Sequence, residues 1–215
     1  AAAAGVEPAV LREHLEEAWR SIDAGPPWFS RRELSRVHGM LDAFLSWLNG
    51  SRGELTQRAV EHELSIELPQ EPDAQPIRLR GRVDRLEADA EGRPVVVDLK
   101  TGRTPVSLAD ARDHPQLAVY QLAAAYGAFV GAGLDARPGG ARLVYVSKAD
   151  RKTGAAERAQ PVLDTESVDA WLGVVRQAAR DSTGPDYQAR ENSDCPRCPA
   201  RTGCPLQSAG RQVTE

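Results

Sequence analysis

Gly81-Arg82-Val83-Asp84-Arg85 and Val95-Val96-Val97-Asp98-Leu99-Lys100-Thr101-Gly102 stand on either side of the turn Ala90-Glu91-Gly92-Arg93-Pro94, and their reading decides the fold. Upstream, Ile77, Leu79, Gly81 and Val83 alternate with Arg78, Arg80, Arg82 and Asp84, the period of a half-buried strand. Downstream, Val95-Val96-Val97 opens a run typical of a central strand covered on both faces. A five-residue connection over 89–93 places Ala88 opposite Pro94 and Leu86 opposite Val96, and so Asp84 opposite Asp98. Alternation along the second strand then puts Lys100 on the face of Asp98 and Leu99 on the other. It likewise puts Arg78, Arg80 and Arg82 on the face of Asp84.

Directly opposed residues on an antiparallel pair have Cβ atoms roughly 4.5–5.5 Å apart, so two facing aspartates repel unless a cation joins them. Carboxylates with a backbone carbonyl, here that of Leu99, are the donor set a hard ion such as Mg²⁺ prefers. Such an ion neutralises charge that builds on a phosphodiester during hydrolysis. Lys100 adds a compact positive charge beside it. Of the 27 basic side chains only Lys100, Lys148 and Lys152 are lysines, which makes a lysine at this position informative. A surface ion pair between Asp98 and Lys100 is the simpler reading of D-x-K alone; the upstream G-x-x-D at pairing distance argues against it.

Outward from the hairpin, Val60, His62, Leu64, Ile66 and Leu68 alternate with Glu61, Glu63, Ser65 and Glu67, a further strand. Two helices precede it. Val10, Leu11, Leu15, Ala18, Trp19 and Ile22 mark the first, over 8–22. A capping box, Ser30-Arg31-Arg32-Glu33, opens the second, which carries Leu34, Val37, Leu41, Phe44, Leu45 and Leu48. After the hairpin the spacing predicts a helix from Gln116 to about Val130, a strand at Leu143 to Val146, and a helix capped by Asp164 or Thr165. The order α, α, β, β, β, α, β, α predicts an α/β fold, a central mixed sheet flanked by helices. The expected parts are a helical N-terminal segment (1–55), a core (56–185) and a Cys-rich C-terminal staple (186–215).

With 215 residues, 41% apolar and 27% charged, the chain can bury a core of its own. No run of about eighteen apolar residues marks a membrane span. The net charge of −4 argues against coating nucleic acid by bulk electrostatics, but leaves room for a local basic groove. The opening Ala1-Ala2-Ala3-Ala4-Gly5 reads as an internal piece of something longer. No G-x-x-x-x-G-K-[ST] loop is present, so the chain carries no nucleotide-driven motor of that type.

Gly81-Arg82-Val83-Asp84-Arg85, Val97-Asp98-Leu99-Lys100-Thr101-Gly102 and Gln116-Leu117-Ala118-Val119-Tyr120 together closely resemble the RecB-like branch of the PD-(D/E)XK nucleases. That family reads G-x-x-D-R, D-x-K-T-G, then Q-x-x-x-Y on the following helix. The resemblance implies Mg²⁺- or Mn²⁺-dependent hydrolysis of DNA phosphodiesters. It implies Asp84 and Asp98 as metal ligands with the Leu99 carbonyl, Lys100 as the catalytic lysine, and Gln116 and Tyr120 as the motif that follows them. Glu61 and His38 are further candidate ligands, Glu61 from an acidic position on the preceding strand and His38 from an early helix. His14, His62 and His114 have weaker claims. Arg80 and Arg82 are candidate DNA contacts. The four tryptophans (Trp19, Trp28, Trp47, Trp171) are expected in the core.

Cys195-x2-Cys198-x5-Cys204 is an odd cluster, a poor disulfide framework that points to a reducing compartment. It resembles the C-terminal cysteines of iron–sulfur RecB-like nucleases, which implies a [4Fe–4S] cluster whose fourth ligand lies outside this stretch; Zn²⁺ is the second reading. The ending, with Gly210-Arg211-Gln212-Val213, and the Trp-bearing helices are similar to the C-terminal nuclease module of actinobacterial AdnB-type helicase–nucleases. That likeness implies a UvrD-like helicase motor in the same full-length protein, a second helicase–nuclease subunit, single-stranded DNA ends as substrate, and a cytoplasmic, nucleoid-associated setting. A reading from another class stays open: an inactive nuclease-like scaffold that holds DNA or docks a subunit.

Overall fold

The computed structural model describes residues 7–69, 72, 75–183, 189–208 and 210; the sequence features at 1–5 and 211–213, and Asp186, lie outside them. The chain divides into two compact units, residues 1–172 and 173–215. In the first, helices α1 (Pro8–Arg20) and α2 (Pro27–Ser51) precede strands β1 (Thr56–Glu67), β2 (Arg78–Ala88) and β3 (Pro94–Lys100). Helices α3 (Leu108–Arg112) and α4 (Pro115–Ala125) lead to β4 (Ala141–Asp150) and β5 (Gly154–Gln160), and α5 (Thr165–Thr183) follows. The sheet runs β1-β2-β3-β4-β5, antiparallel except for the β3–β4 pair. This is the mixed sheet flanked by helices that the element order predicts. No described helix is long and apolar enough to cross a membrane.

The two faces of the sheet are covered separately. On one, Leu86, Val96, Leu143 and Tyr145 form a core with Leu117 of α4 and with Phe129. On the other, Val97, Val144 and Val146 pack with Ala43, Phe44 and Trp47 of α2, and Leu99 joins them. Val96 and Val97 point to opposite cores, so β3 is covered on both sides, as its apolar run requires. Trp47 is 2% exposed and donates its indole N–H to Glu157 Oε2 at 2.7 Å. Gly154 lies beneath the same helix with φ 81°; a Cβ there would stand 2.5 Å from Ser46 Cβ and Trp47 N, so the turn into β5 admits only glycine.

Several local expectations need correction. Helix α2 begins at Pro27, three residues before the expected capping box. A proline at the first helical position is preorganised for the turn, and the Ser30 hydroxyl accepts the Trp19 indole N–H at 3.1 Å instead of capping. Strand β5 was not expected; Gly-Ala-Ala-Glu-Arg-Ala-Gln carries no large apolar side chain, so it has no period-2 signal. Helix α4 stops at Ala125, before the expected Val130. Trp28 is 63% exposed, whereas Trp47 is buried.

The hairpin register holds from Ala88↔Pro94 to Arg85↔Val97 and stops one pair short of Asp84 and Asp98. Beyond that point β2 stays with β1 and β3 continues beside β4. The two central strands therefore fork at the aspartates. The side of the core changes there too: Leu86 and Ala88 are buried in the α4-side core, and so is Val83, which is of the opposite parity. In β1 the matching switch lies between Ala59 and Leu64, at Glu61, the one non-glycine with positive φ (50°) among the described residues. Simple alternation between Asp84 and the three arginines thus breaks at a local twist in both strands.

Candidate active site at the strand fork

Where β2 and β3 part, side chains replace the backbone ladder. The Asp84 carboxylate accepts the Leu99 backbone N–H at 2.7 Å, occupying the place a continued strand would take. An extended residue points its N–H and C=O to the same side, so the Leu99 carbonyl faces the same gap. Its side chain belongs to the opposite core, which leaves Asp98 and Lys100 together on the α4 face. Lys100 Nζ stands 2.7 Å from Asp98 Oδ2, with Asp98 almost wholly buried.

Helix α4 closes the arrangement. Pro115 starts it, so Gln116 and Tyr120 lie one turn apart on its first two turns, on one face. Gln116 accepts from Lys100 Nζ at 2.9 Å and donates to Asp98 Oδ1 at 2.6 Å and to the Tyr120 hydroxyl at 3.0 Å. Tyr120 in turn donates to Asp98 Oδ1 at 3.4 Å, the limit of a hydrogen bond. Asp98, Lys100, Gln116 and Tyr120 form one cycle of polar contacts, with Asp84 across the fork.

Burial pushes the Asp84 carboxyl above the usual aspartate range; the Leu99 N–H opposes this, the charges of Asp98 and Glu61 add to it, and Lys100 opposes it in turn. Glu61 lies opposite Asp84 by register, and its carboxylate meets Arg82 Nε at 2.9 Å. Burial also raises the Tyr120 phenol, against the hydrogen bond from Gln116, so it stays protonated at neutral pH. A half-buried carboxylate crowded by two others and held beside a carbonyl is the donor chemistry of a hard divalent cation, and the residues present fit one. Asp84, Asp98 and the Leu99 carbonyl would hold it. Among the described residues, no three His, Cys, Asp or Glu side chains are gathered as a ready ligand set, so the carbonyl or solvent would have to complete the shell.

The remaining sequence candidates fall elsewhere. His38 Nε2 stands 3.7 Å from Glu16 Oε1 of α1, on the helix that covers the other face of the sheet. The structure does not bring it to the two aspartates, because α2 turns it toward α1. Arg80 and Arg82 lie on the β1–β2 ribbon beyond the fork. In the second unit, Cys195 and Cys204 are half-buried and Cys198 exposed, all free thiols carried on short 3₁₀ turns. Three thiolates not gathered into a ligand set fall short of the four a cubane cluster needs, so the described chain alone does not fit one.

Sequence reasoning assigned no supporting role to the residues that hold the site in place. Arg85 of the G-x-x-D-R run points away from Asp84, its guanidinium 5.5 Å above the Phe44 ring. It binds Glu87 at 2.7 Å and Gln57 at 2.6 Å, with both ends of the ion pair buried. Arg52 reaches Glu87 Oε2 at 3.0 Å as a charge contact, without hydrogen-bond alignment. On α4, buried Gln121 donates to Gln160 Oε1 and to the Pro161 carbonyl, each at 3.0 Å, and accepts the Leu163 N–H. Gln160 donates to the Arg112 carbonyl at the end of α3 at 2.8 Å and to the His114 carbonyl at 3.3 Å, which ties the residue before α4 to β5 and helps fix where Gln116 stands. His114, the residue before α4, has a buried Nδ1 with no hydrogen-bond partner among the described residues; burial and Lys100 lower its pKa against the pull of Asp98, keeping it neutral. The one available signal was Gln121, polar but on the side of α4 away from the Gln116–Tyr120 pair, among apolar neighbours.

Comparison with curated proteins finds no match. Ten chains of solved structures match, among them one titled "Crystal structure of SSO0001", 20% identical, with 93% of this chain and 82% of that chain covered and a TM-score of 0.46. A family model of the PD-(D/E)XK nuclease superfamily matches residues 2–205. With its mixed sheet, and a family match over nearly its whole length, the chain belongs to the PD-(D/E)XK nuclease superfamily.

Proposed function

We propose that this chain is a divalent-metal-dependent deoxyribonuclease module of the RecB-like branch, hydrolysing phosphodiesters in single-stranded DNA. The observation that carries the reading is the meeting at the fork of Asp98, Lys100 and Gln116, through contacts of 2.6–2.9 Å, with Asp84 held on the Leu99 N–H at 2.7 Å, from three separate elements. A bound Mg²⁺ or Mn²⁺ supplies Lewis-acid neutralisation of the phosphodiester. Asp84 and Asp98 hold the ion, and Lys100 sets a fixed positive charge where negative charge develops in the transition state. Gln116 keeps the ammonium and the Asp98 carboxylate in register, and Tyr120 supports Gln116.

By likeness to AdnB-type proteins, the module works beside a UvrD-like motor of the same full-length protein and with a second helicase–nuclease subunit, trimming broken DNA ends for recombinational repair. Residues 1–55, 56–185 and 186–215 are its helical segment, nuclease core and cysteine staple. The staple takes an iron–sulfur cluster, or Zn²⁺, only with a further ligand from outside this stretch. The test is cleavage of a labelled single-stranded oligonucleotide with Mg²⁺, Mn²⁺ or EDTA. Wild-type protein cuts only with metal, and Asp98→Ala abolishes cutting. An Asp98→Ala protein that cuts at the wild-type rate refutes the assignment. A second reading, an inactive scaffold that holds DNA or docks a subunit, draws on one feature of the same cycle, the engagement of both Asp98 oxygens by Lys100 and Gln116; binding of the oligonucleotide without metal-dependent cleavage would favour it.

A further inference from the structure

The G-x-x-D and K-T-G glycines have no explanation inside the fold. Gly81 and Gly102 are both exposed, and neither adopts the left-handed backbone that only glycine tolerates. A Cβ on Gly81 would meet nothing nearer than Leu64 Cγ at 4.0 Å, and one on Gly102 nothing within 4 Å. Glycine in a strand, as at 81, gives up a packing side chain, and in an exposed loop, as at 102, it adds chain entropy that folding must remove; one common reason to keep it is the close approach of another molecule's backbone. Gly154 shows the contrast, since α2 itself fills the space where its Cβ would be.

The two positions also share a place. Gly81 lies three residues before Asp84 on one prong of the fork, and Gly102 two residues after Lys100, in the loop that leaves the end of the other. Over Arg78–Asp84, β2 pairs only with β1, so its other edge is open along this prong. An open groove of about 790 Å³ runs along the ribbon, lined by Glu63, Leu64, Ser65, Arg80, Gly81 and Arg82. Charges beside the glycines are unequal in their commitments. Arg82 is engaged by Glu61 and Arg78 by Glu67, whereas Arg80 and Arg103 have no ion pair among the described residues.

We infer that the sugar–phosphate backbone of a single polynucleotide strand crosses the fork over Gly81 and Gly102, with Arg80 and Arg103 taking the phosphates on either side of the one that reaches Asp84, Asp98 and Lys100. This path rests on the nuclease reading for its destination, but its binding half stands on the glycines and arginines alone. The contacts are to phosphate, so the path reads no base sequence. Glu63 on the groove wall opposes the anion and sets an upper limit on affinity.

The test is fluorescence anisotropy of a labelled 20-nucleotide oligothymidylate in EDTA, where nothing turns over, alongside Mn²⁺-dependent hydrolysis of bis(p-nitrophenyl) phosphate. Gly81→Val and Gly102→Val fold with a Tm no lower than wild type, because each added side chain enters open space, yet bind the oligonucleotide about tenfold more weakly. Arg80→Ala and Arg103→Ala each reduce the slope of log K against log salt by about 0.7, the loss of one single-strand phosphate contact. Glu63→Gln tightens binding. Wild-type affinity in both valine variants, or no binding by wild type, overturns the path. Binding that responds as described, with no hydrolysis of the small diester, leaves the path standing and removes the catalytic reading beneath it.

Discussion

Replacing Asp84 by Asn should stabilise this protein while removing its metal response. Asn keeps an oxygen to accept the Leu99 N–H at 2.7 Å and deletes the charge. In the folded protein that charge is desolvated and faces Asp98 and Glu61, and these effects exceed the help from the Leu99 N–H and Lys100. Two like charges at a nominal separation of about 6 Å repel by about 3 kcal/mol at an effective dielectric of 20, and screening of a half-buried carboxylate leaves about 1 kcal/mol. For a chain of this size that is about 2–4 °C in Tm. The sign with pH follows from the direction of the shift. A raised folded pKa gives stability that is complete below the unfolded value of 3.8 and is lost as pH rises through the folded value. The advantage of Asp84→Asn is therefore near zero in acid and opens as pH rises toward neutrality. The assay is thermal unfolding in EDTA from pH 3 to 8, repeated with Mn²⁺. With metal the order reverses, because only wild type gains from binding. An Asp84→Asn protein less stable than wild type in EDTA at pH 7 would refute the reasoning.

Gln116→Ala leaves Lys100 and Asp98 in contact but removes the group that orients both; kcat on an oligonucleotide should fall about 10²-fold with KM little changed, and a wild-type kcat would contradict the role. Arg85→Ala leaves Glu87, 0% exposed, with much of its compensation gone, so urea unfolding should show a loss of about 3–5 kcal/mol. The exposed Arg82 pair with Glu61 gives the control, about 0–1 kcal/mol for Arg82→Ala in the same assay.

The residues that meet at the fork were legible because short-range rules fix them. A five-residue turn sets the Ala88↔Pro94 register, alternation sets Asp98 and Lys100 on one face, and i, i+4 spacing puts Gln116 beside Tyr120. What the sequence hid depends on longer-range packing. Period-2 reasoning assumes a regular strand, so the twist at Glu61 and Asp84 was invisible, and with it the change of side at Val83. Side-chain capture of the Leu99 N–H ends a ladder that register arithmetic continues. Strand β5 is recruited by pairing with β4, not by its own apolar pattern. The Gln121–Gln160 bridge joins residues far apart in sequence and carries no local signature. His38 shows the converse: a helical address from resemblance says nothing about which face turns to which neighbour, and here it meets Glu16.

The central claim is that Asp84 and Asp98, brought together at the strand fork, hold a divalent cation. Its most direct measurement is a Mn²⁺ titration of the protein followed by electron paramagnetic resonance of the free ion. Wild-type protein should take up Mn²⁺ stoichiometrically, Lys100→Met should retain the uptake, and Asp98→Ala should lose it. Equal uptake by wild type and Asp98→Ala, or none by either, would contradict the account.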